Sequence, residues 1–124
     1  MEEKMRNIVE TLKEIRIPLI QEEKALHTMI EKVLKEKQIL YRHEAGIGKR
    51  SRIDFLVENQ IGLEIKKGKP NKTKLLAQVE RYLSSDQLAG LIIVVERWVE
   101  LPNEVQGKPV YTLSMNRLWG IALP

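Results

Sequence analysis

Apolar residues recur along this chain with a helical period in three segments. They return every three or four residues between Glu2 and Arg16, from about Gln21 to Lys37, and from about Lys72 to Leu83. This spacing places the apolar side chains on one face of an α-helix, so the pattern predicts three amphipathic helices. Pro18 separates the first helix from the second, because proline has no amide hydrogen to donate inside a helix.

Shorter apolar segments predict the strands of a sheet. Leu91 to Val95 is an unbroken apolar run, which is typical of a strand buried on both faces. Glycines mark the breaks, with a turn predicted at Gly46 to Gly48 and a break before the third helix at Gly68 to Asn71. The predicted strands are Ile39–Ala45, Arg52–Val57, Ile61–Lys67, Leu91–Val95 and Val110–Leu113, and Leu118–Leu123 is an apolar closing segment.

The order helix, three strands, helix, strand predicts an α/β fold. The first three strands should be antiparallel neighbours, and the third helix should cross over, right-handed, to a parallel fourth strand. The 124 residues suffice for one core and not for two domains. We therefore expect one domain, with residues 1–20 as an N-terminal helical extension, 22–95 as the core and 96–124 as a closing segment.

Composition narrows the chemistry that the chain can support. There are no cysteines and two histidines, which excludes disulfides and thiolate zinc sites and leaves carboxylates as the main metal ligands. The net charge of +4 is compatible with a polyanionic partner. No apolar run is long enough to span a bilayer and no signal peptide is evident, so we expect a cytoplasmic protein without a membrane partner.

The candidate site lies in the two central strands, which carry Asp54, Glu64 and Lys66. Glu64 and Lys66 are two residues apart and share a face of their strand. A three-residue loop from Glu58 to Gln60 would set Asp54 opposite Glu64 on that same face. A two-residue loop would put the carboxylates on opposite faces unless a bulge intervened. Two carboxylates and an ammonium together can bind a divalent cation and attack a phosphodiester.

This constellation resembles the PD-(D/E)xK nuclease superfamily, in which an aspartate and a Glu-x-Lys lie on adjacent strands. The predicted order of elements is similar to the αβββαβ core of that superfamily, over about residues 22 to 95. Further support comes from the acidic start of the second helix, from Tyr-Arg-His-Glu at 41–44, and from Gln78 with Tyr82 on the third helix. Ile53 precedes Asp54 where the superfamily name has proline, a position at which many members also differ.

The resemblance implies a DNA endonuclease that depends on Mg²⁺ or Mn²⁺. Asp54, Glu64 and the backbone carbonyl of Ile65 would hold the metal. Glu23 would add a ligand, although periodicity alone does not choose between Glu22 and Glu23. Lys66 would orient the attacking water or stabilise developing charge. Gln78 would hold that water or a phosphate oxygen.

Basic residues near this region are expected to contact DNA phosphates, which gives affinity without base specificity. A short chain leaves little room for a target-recognition domain, which favours recognition of DNA structure or ends, as in repair or recombination. A homodimer would provide two sites for two strands. The predicted nucleic-acid contacts are Lys49, Arg50, Arg52, Lys67, Lys69, Lys72, Lys74, Arg81 and Tyr82.

Other interpretations of the same residues stay open. One alternative is a catalytically silent nucleic-acid-binding module that has kept the fold. The other is a structural or regulatory subunit whose charges are merely solvated. His27 and His43 are interpreted as packing or surface residues, and Glu44 as a salt-bridge partner of an arginine. Trp98 and Trp119 are most simply core or rim aromatics.

Overall fold

A computed structural model describes residues 2–15, 23–48 and 51–114 of the chain. Pro18, Glu22, Lys49, Arg50, Trp119 and the closing segment Leu118–Leu123, which figure in the predictions above, lie outside these residues. The described elements are α1 (Glu2–Leu12), α2 (Glu23–Glu36), β1 (Tyr41–Gly48), β2 (Ser51–Val57), β3 (Ile61–Lys66), α3 (Lys72–Leu83), β4 (Gly90–Val95), β5 (Glu104–Val105) and β6 (Lys108–Ser114).

The strands form one mixed sheet in the order β1-β2-β3-β4-β6-β5. Strands β1, β2 and β3 are antiparallel neighbours, and β4 pairs in parallel with β3 after the crossover through α3. Strand β6 pairs in parallel with β4, and the short β5 pairs antiparallel with β6. The predicted α/β class, with antiparallel first strands and a parallel fourth, is therefore confirmed.

Helices cover the sheet on both faces and create two apolar cores. Helices α1 and α2 pack on one face, where their buried stripes contact Phe55, Leu63 and Ile92. Helix α3 packs on the other face against Leu56, Leu91 and Ile93. Strand β4 is buried along its whole length because it is covered from both sides, as its unbroken apolar sequence predicts.

Helix α1 belongs to the first of these cores. Met5, Ile8, Val9 and Leu12 are buried. A Cβ at Gly90 would clash with the Met5 sulfur, so the glycine lets the helix approach the start of β4. The N-terminal helix therefore packs on its own domain. Within the described residues, no helix is long and apolar enough to cross a membrane.

The prediction of a turn at Gly46 to Gly48 is wrong, because β1 continues through these residues. The pairing of β1 with β2 shifts between Gly46 and Gly48, so the glycines mark a bulge inside the strand. Ile47 between them is buried in the core under α3. Glycine was a correct signal of irregular backbone, but the irregularity does not end the strand.

In β1 and β2, the regular alternation of side chains between the two faces of the sheet is interrupted, at the same level in both strands. Tyr41 contacts the core under α1 and α2, whereas Ala45, four residues on, is in the core under α3. Glu44 between them has a positive φ of 52°, which rotates the chain. In β2, Phe55 and Ile53 likewise lie in opposite cores. Asp54 is thus at the point where β2 changes faces.

Candidate active site

The hairpin of β2 and β3 has the register that the parity argument requires. Val57 pairs with Ile61 and Phe55 with Leu63, so the loop contains three residues, Glu58 to Gln60. Glu58 and Asn59 have φ values of 54° and 60°, in the left-handed region that tight hairpin loops use. Extending this register by one residue places Asp54 opposite Glu64.

Backbone-to-backbone pairing of β2 and β3 stops at this position, where the two carboxylates accept the backbone hydrogen bonds instead. The backbone N–H of Asp54 donates to Glu64 Oε1 at 3.0 Å, and the backbone N–H of Ile65 donates to Asp54 Oδ2 at 2.8 Å. Each carboxylate therefore accepts a hydrogen bond from the backbone of the neighbouring strand. Carboxylates held in this way have few accessible rotamers, which fixes the direction of their remaining oxygen lone pairs.

A chain of polar contacts connects Glu64 with helix α3. Tyr82 donates its hydroxyl to Glu64 Oε2 at 3.0 Å, and Gln78 Nε2 donates to that hydroxyl at 2.7 Å. Lys66 Nζ lies 3.2 Å from the same Oε2. The structure therefore brings together Asp54, Glu64, Lys66 and Gln78, four of the five residues predicted to be catalytic.

Burial dominates the electrostatics of the two carboxylates. The pKa of Asp54 is raised by desolvation, and the nearby charge of Glu23 raises it further. Desolvation also raises the pKa of Glu64, and the charge of Asp54 adds to the effect. Hydrogen bonds and the ammonium of Lys66 act in the opposite direction on both groups. Two coupled carboxylates that would be stabilised by an added positive charge are a common arrangement at functional sites.

His27 on α2 reaches the site from the other face of the sheet. Its Nε2 is buried, has no hydrogen-bond partner among the residues that the structure describes, and lies 3.6 Å from Asp54 Oδ2. That separation is too long for a hydrogen bond. It falls within the range of about 3 to 3.6 Å expected for two donor atoms that flank one small cation at about 2.1 Å each. Burial, and then the nearby His43, lower the pKa of His27, which favours a neutral imidazole.

The second ring nitrogen of His27 is fixed by a polar chain of its own. His27 Nδ1 and His43 Nε2 are 2.8 Å apart, and His43 Nδ1 lies 3.8 Å from Glu31 Oε1. Tyr41 donates its hydroxyl to Glu31 Oε2 at 2.9 Å, and both imidazoles contact the ring of Phe55. The contact between His27 Nδ1 and His43 is typical of ligating histidines, whose second ring nitrogen is usually held by a neighbour.

Glu23 and Glu44 lie at the edge of the site and are exposed. Glu23 is in the first turn of α2 and lines one cleft with His27 and His43. Its charge acts on the pKa values of both Asp54 and His27, which places it in the neighbourhood without direct contact. Glu44 lies 3.7 Å from Arg52 Nη1 and 3.9 Å from His43 Nε2, and the former contact is the arginine salt bridge that the sequence predicts.

These donors fit a hard divalent cation. Across residues 2–15, 23–48 and 51–114, no three histidine, aspartate or glutamate side chains form a ready-made metal cluster. The predicted ligands, two carboxylates and the carbonyl of Ile65, do not need such a cluster. The unpartnered His27 Nε2 beside the Asp54 carboxylate is the observation that favours a cation at this point.

The predicted DNA contacts differ in their exposure to solvent. Lys69, Lys72, Lys74 and Arg81 are exposed, and a groove between β3 and α3 is lined by Lys66, Asn71, Lys74, Gln78 and Arg81. Arg52 is exposed as well, beside Glu44, and Lys67 is half-buried. Tyr82 is 2% exposed and its hydroxyl serves Glu64, so its prediction as a DNA contact is corrected to a positioning role.

His27 packs as the sequence interpretation expects, and its position beside Asp54 is what that interpretation did not include. A histidine on the apolar side of a helix is ordinarily a packing residue, and the ring does pack on Phe55. The available signal was its position four residues after Glu23, one turn further along the helix that the resemblance already places at the site.

Comparison with known proteins adds no assignment, since no family model, curated protein or solved structure matches the chain. The functional argument therefore depends on the geometry of the site.

Proposed function

We propose that this protein is a divalent-metal-dependent DNA endonuclease with a PD-(D/E)xK-type site. The observation that carries the proposal is the end of the β2–β3 hairpin, where Asp54, Glu64 and Lys66 lie together. Both carboxylates have raised pKa values and face an imidazole whose Nε2 has no hydrogen-bond partner among the described residues. The arrangement of strands around the hairpin is compatible with the core of that superfamily.

Asp54, Glu64 and the carbonyl of Ile65 would hold Mg²⁺ or Mn²⁺, with His27 and Glu23 completing the shell directly or through water. When bound, the ion would supply an activated water and neutralise charge on the phosphate. An imidazole ligand favours first-row transition ions such as Mn²⁺ over Mg²⁺, which prefers oxygen ligands. If His27 Nδ1 donates to His43 Nε2 across their 2.8 Å contact, the neutral ring would direct its Nε2 lone pair toward Asp54.

Lys66 would act on the reacting phosphate. Its Nζ is 3.2 Å from Glu64, and its side chain is 28% exposed and lines the groove. There it would orient the water or stabilise negative charge that develops on the phosphate. Tyr82 holds Glu64 in place through a hydrogen bond. Gln78, which lines the groove, in turn donates a hydrogen bond to the Tyr82 hydroxyl.

The lysines of the groove would contact the DNA backbone. Such contacts carry no base specificity, and the described part of the chain offers no separate reading domain. We therefore favour substrates recognised by structure or by an end, with a homodimer as one way to cut both strands.

Cleavage of a DNA panel tests the proposal. Linear duplex, branched and single-stranded DNA are incubated with Mg²⁺, Mn²⁺ or EDTA, using wild type and Lys66→Ala. Lys35→Ala is the matched control, because Lys35 is an exposed lysine in the last turn of α2. We expect metal-dependent cleavage by the wild type and the control only. Binding without cleavage on every substrate would support the catalytically silent module instead.

A further inference from the structure

Trp98 is exposed on the loop that follows β4. It is 53% exposed, and within the described residues only one other large apolar side chain, Leu40, is comparably exposed. Leu40 lies at the far end of the sheet, where its carbonyl accepts a hydrogen bond from Glu58 in the hairpin loop. Tryptophan buries a large apolar area when it packs, so an exposed indole is a candidate contact surface.

The backbone that carries Trp98 is anchored. Val99 and Leu101 follow it and are buried, 9% and 7% exposed, in the core under α3. The chain therefore returns to the core directly after the indole. Trp98 is presented to solvent from a fixed loop, and its exposure is not the result of an unpacked segment.

This loop leaves the sheet beside the candidate active site. Strands β3 and β4 are parallel, with Lys66 paired with Val95. The next residue, Glu96, donates its N–H to the Lys66 carbonyl at 3.0 Å and accepts from the Gly68 N–H at 2.5 Å. Two residues further along is Trp98. Residue Trp98 and the proposed catalytic lysine thus lie at the same edge of the sheet.

The side of that edge formed by β3 and α3 is basic, since from Ile65 to Gln78 the chain carries five lysines and no carboxylate. The Trp98 loop adds Arg97, together with the carboxylates of Glu96 and Glu100. The carboxylate of Glu96 is already occupied by the Gly68 N–H. An aromatic side chain within a basic edge matches the requirements of single-stranded nucleic acid, in which phosphates need cations and exposed bases need a stacking surface.

We propose that Trp98 stacks on an unpaired base of single-stranded DNA whose phosphates follow this basic edge. The inference rests on the proposed function and specifies its substrate class, a strand with unpaired bases such as an overhang or a flap. A blunt duplex hides its base faces inside the stack, so it offers the indole no equivalent partner. Its phosphates would still contact the lysines.

Tryptophan fluorescence gives a direct test. The chain has two tryptophans, so Trp119→Phe leaves Trp98 as the only one. This variant is titrated in EDTA with an oligothymidylate of about 15 nucleotides, a length that one such site can occupy. A blunt hairpin duplex and poly-glutamate serve as comparisons. We expect quenching by the oligothymidylate only. Binding without quenching, or equal quenching by poly-glutamate, would overturn the proposal, the latter in favour of an acidic protein partner.

Affinity measured by fluorescence anisotropy of labelled DNA provides a second test that keeps Trp119 intact. Trp98→Ala should weaken binding of the oligothymidylate about tenfold and that of the blunt duplex by less than about twofold. Trp98→Phe should restore most of the affinity. Leu40→Ala, the matched exposed apolar control, should have no effect. Equal losses for single strand and duplex, or no binding of single strands, would refute stacking.

The two proposals fail in different ways. Both binding tests are made without metal, so they do not depend on cleavage. Quenching by single strands without any Mn²⁺-dependent cleavage would reject the nuclease and keep the stacking site. Cleavage with no contribution from Trp98 would reject only the stacking site.

Discussion

Asp54→Asn separates a metal site from a structural salt bridge. Asparagine keeps an oxygen that can accept the Ile65 N–H, so the contact between β2 and β3 persists. Exchanging a charged acceptor for a neutral one costs about 1 kcal/mol. Removing a buried like charge from beside Glu64 acts in the opposite direction. We therefore expect the metal-free stability to stay within about 1 kcal/mol of wild type, or to rise.

Added metal should distinguish the two proteins clearly. An ion that binds only the folded state at a hundred times its Kd stabilises that state by about 2.7 kcal/mol. For a chain of 124 residues this corresponds to a rise in Tm of roughly 8–13 °C. Wild type should show this rise with Mn²⁺, and Asp54→Asn should lose most of it.

Thermal unfolding followed by circular dichroism, in EDTA and in a Mn²⁺ series, measures both quantities. Asp86→Asn is the matched control, since Asp86 is the other aspartate of the chain and is exposed after α3. It should behave like wild type. A metal-free loss above about 2 kcal/mol in Asp54→Asn, beyond the hydrogen-bond exchange, would mark Asp54 as a structural partner. An unchanged response to Mn²⁺ would remove it from the metal site.

Four further predictions concern the remaining parts of the site. Lys66→Ala should lower the cleavage rate at saturating DNA. A triple substitution of Lys69, Lys72 and Lys74 should instead weaken DNA binding and flatten its salt dependence. If Lys66→Ala also weakens binding without lowering the saturated rate, Lys66 is a phosphate contact. Tyr82→Phe removes the hydroxyl that holds Glu64, and cleavage or Mn²⁺ affinity should fall about 10- to 100-fold with the fold retained by circular dichroism. His27→Ala should weaken calorimetrically measured Mn²⁺ binding more than Mg²⁺ binding, and equal effects would exclude a nitrogen ligand. The folded-state pKa values of Asp54 and Glu64 are raised, so the folded protein binds more protons than the unfolded chain. Metal-free stability should therefore gain from this pair as the pH falls from neutral toward about 4. In urea unfolding, a double Asp54→Asn, Glu64→Gln variant should lack that gain.

The hairpin could be predicted from the sequence because its information is local. Because side chains alternate along a strand, a three-residue loop sets Asp54 and Glu64 on the same face and a two-residue loop does not. The observed register leaves three residues in the loop. The bounds of α3 were also predictable, since Gly68 to Asn71 ends the preceding strand and Asn71 caps the helix by accepting from the Lys74 N–H.

What the sequence could not provide depends on contacts between distant segments. The approach of His27 to Asp54 requires α2 to be docked over the sheet, and periodicity defines only the apolar face of a helix. The change of face at Glu44 is equally non-local, because a glutamate with positive φ has no marker in the sequence. The two-residue strand β5 is too short to show a pattern.

Between β2 and β3, the carboxylates of Asp54 and Glu64 accept hydrogen bonds that a backbone carbonyl would otherwise accept, and this constrains how the proposed activity could be lost. Replacing Asp54 or Glu64 with an apolar residue would leave a backbone N–H of the adjoining strand without its acceptor, a penalty paid in folding whether or not any reaction takes place. Descendants that abandoned the chemistry would therefore keep oxygen-bearing residues at both positions for architectural reasons. Lys66 donates to no backbone group of the hairpin and is released from such selection. In related sequences the lysine, rather than the acids, would then be the marker of a working enzyme.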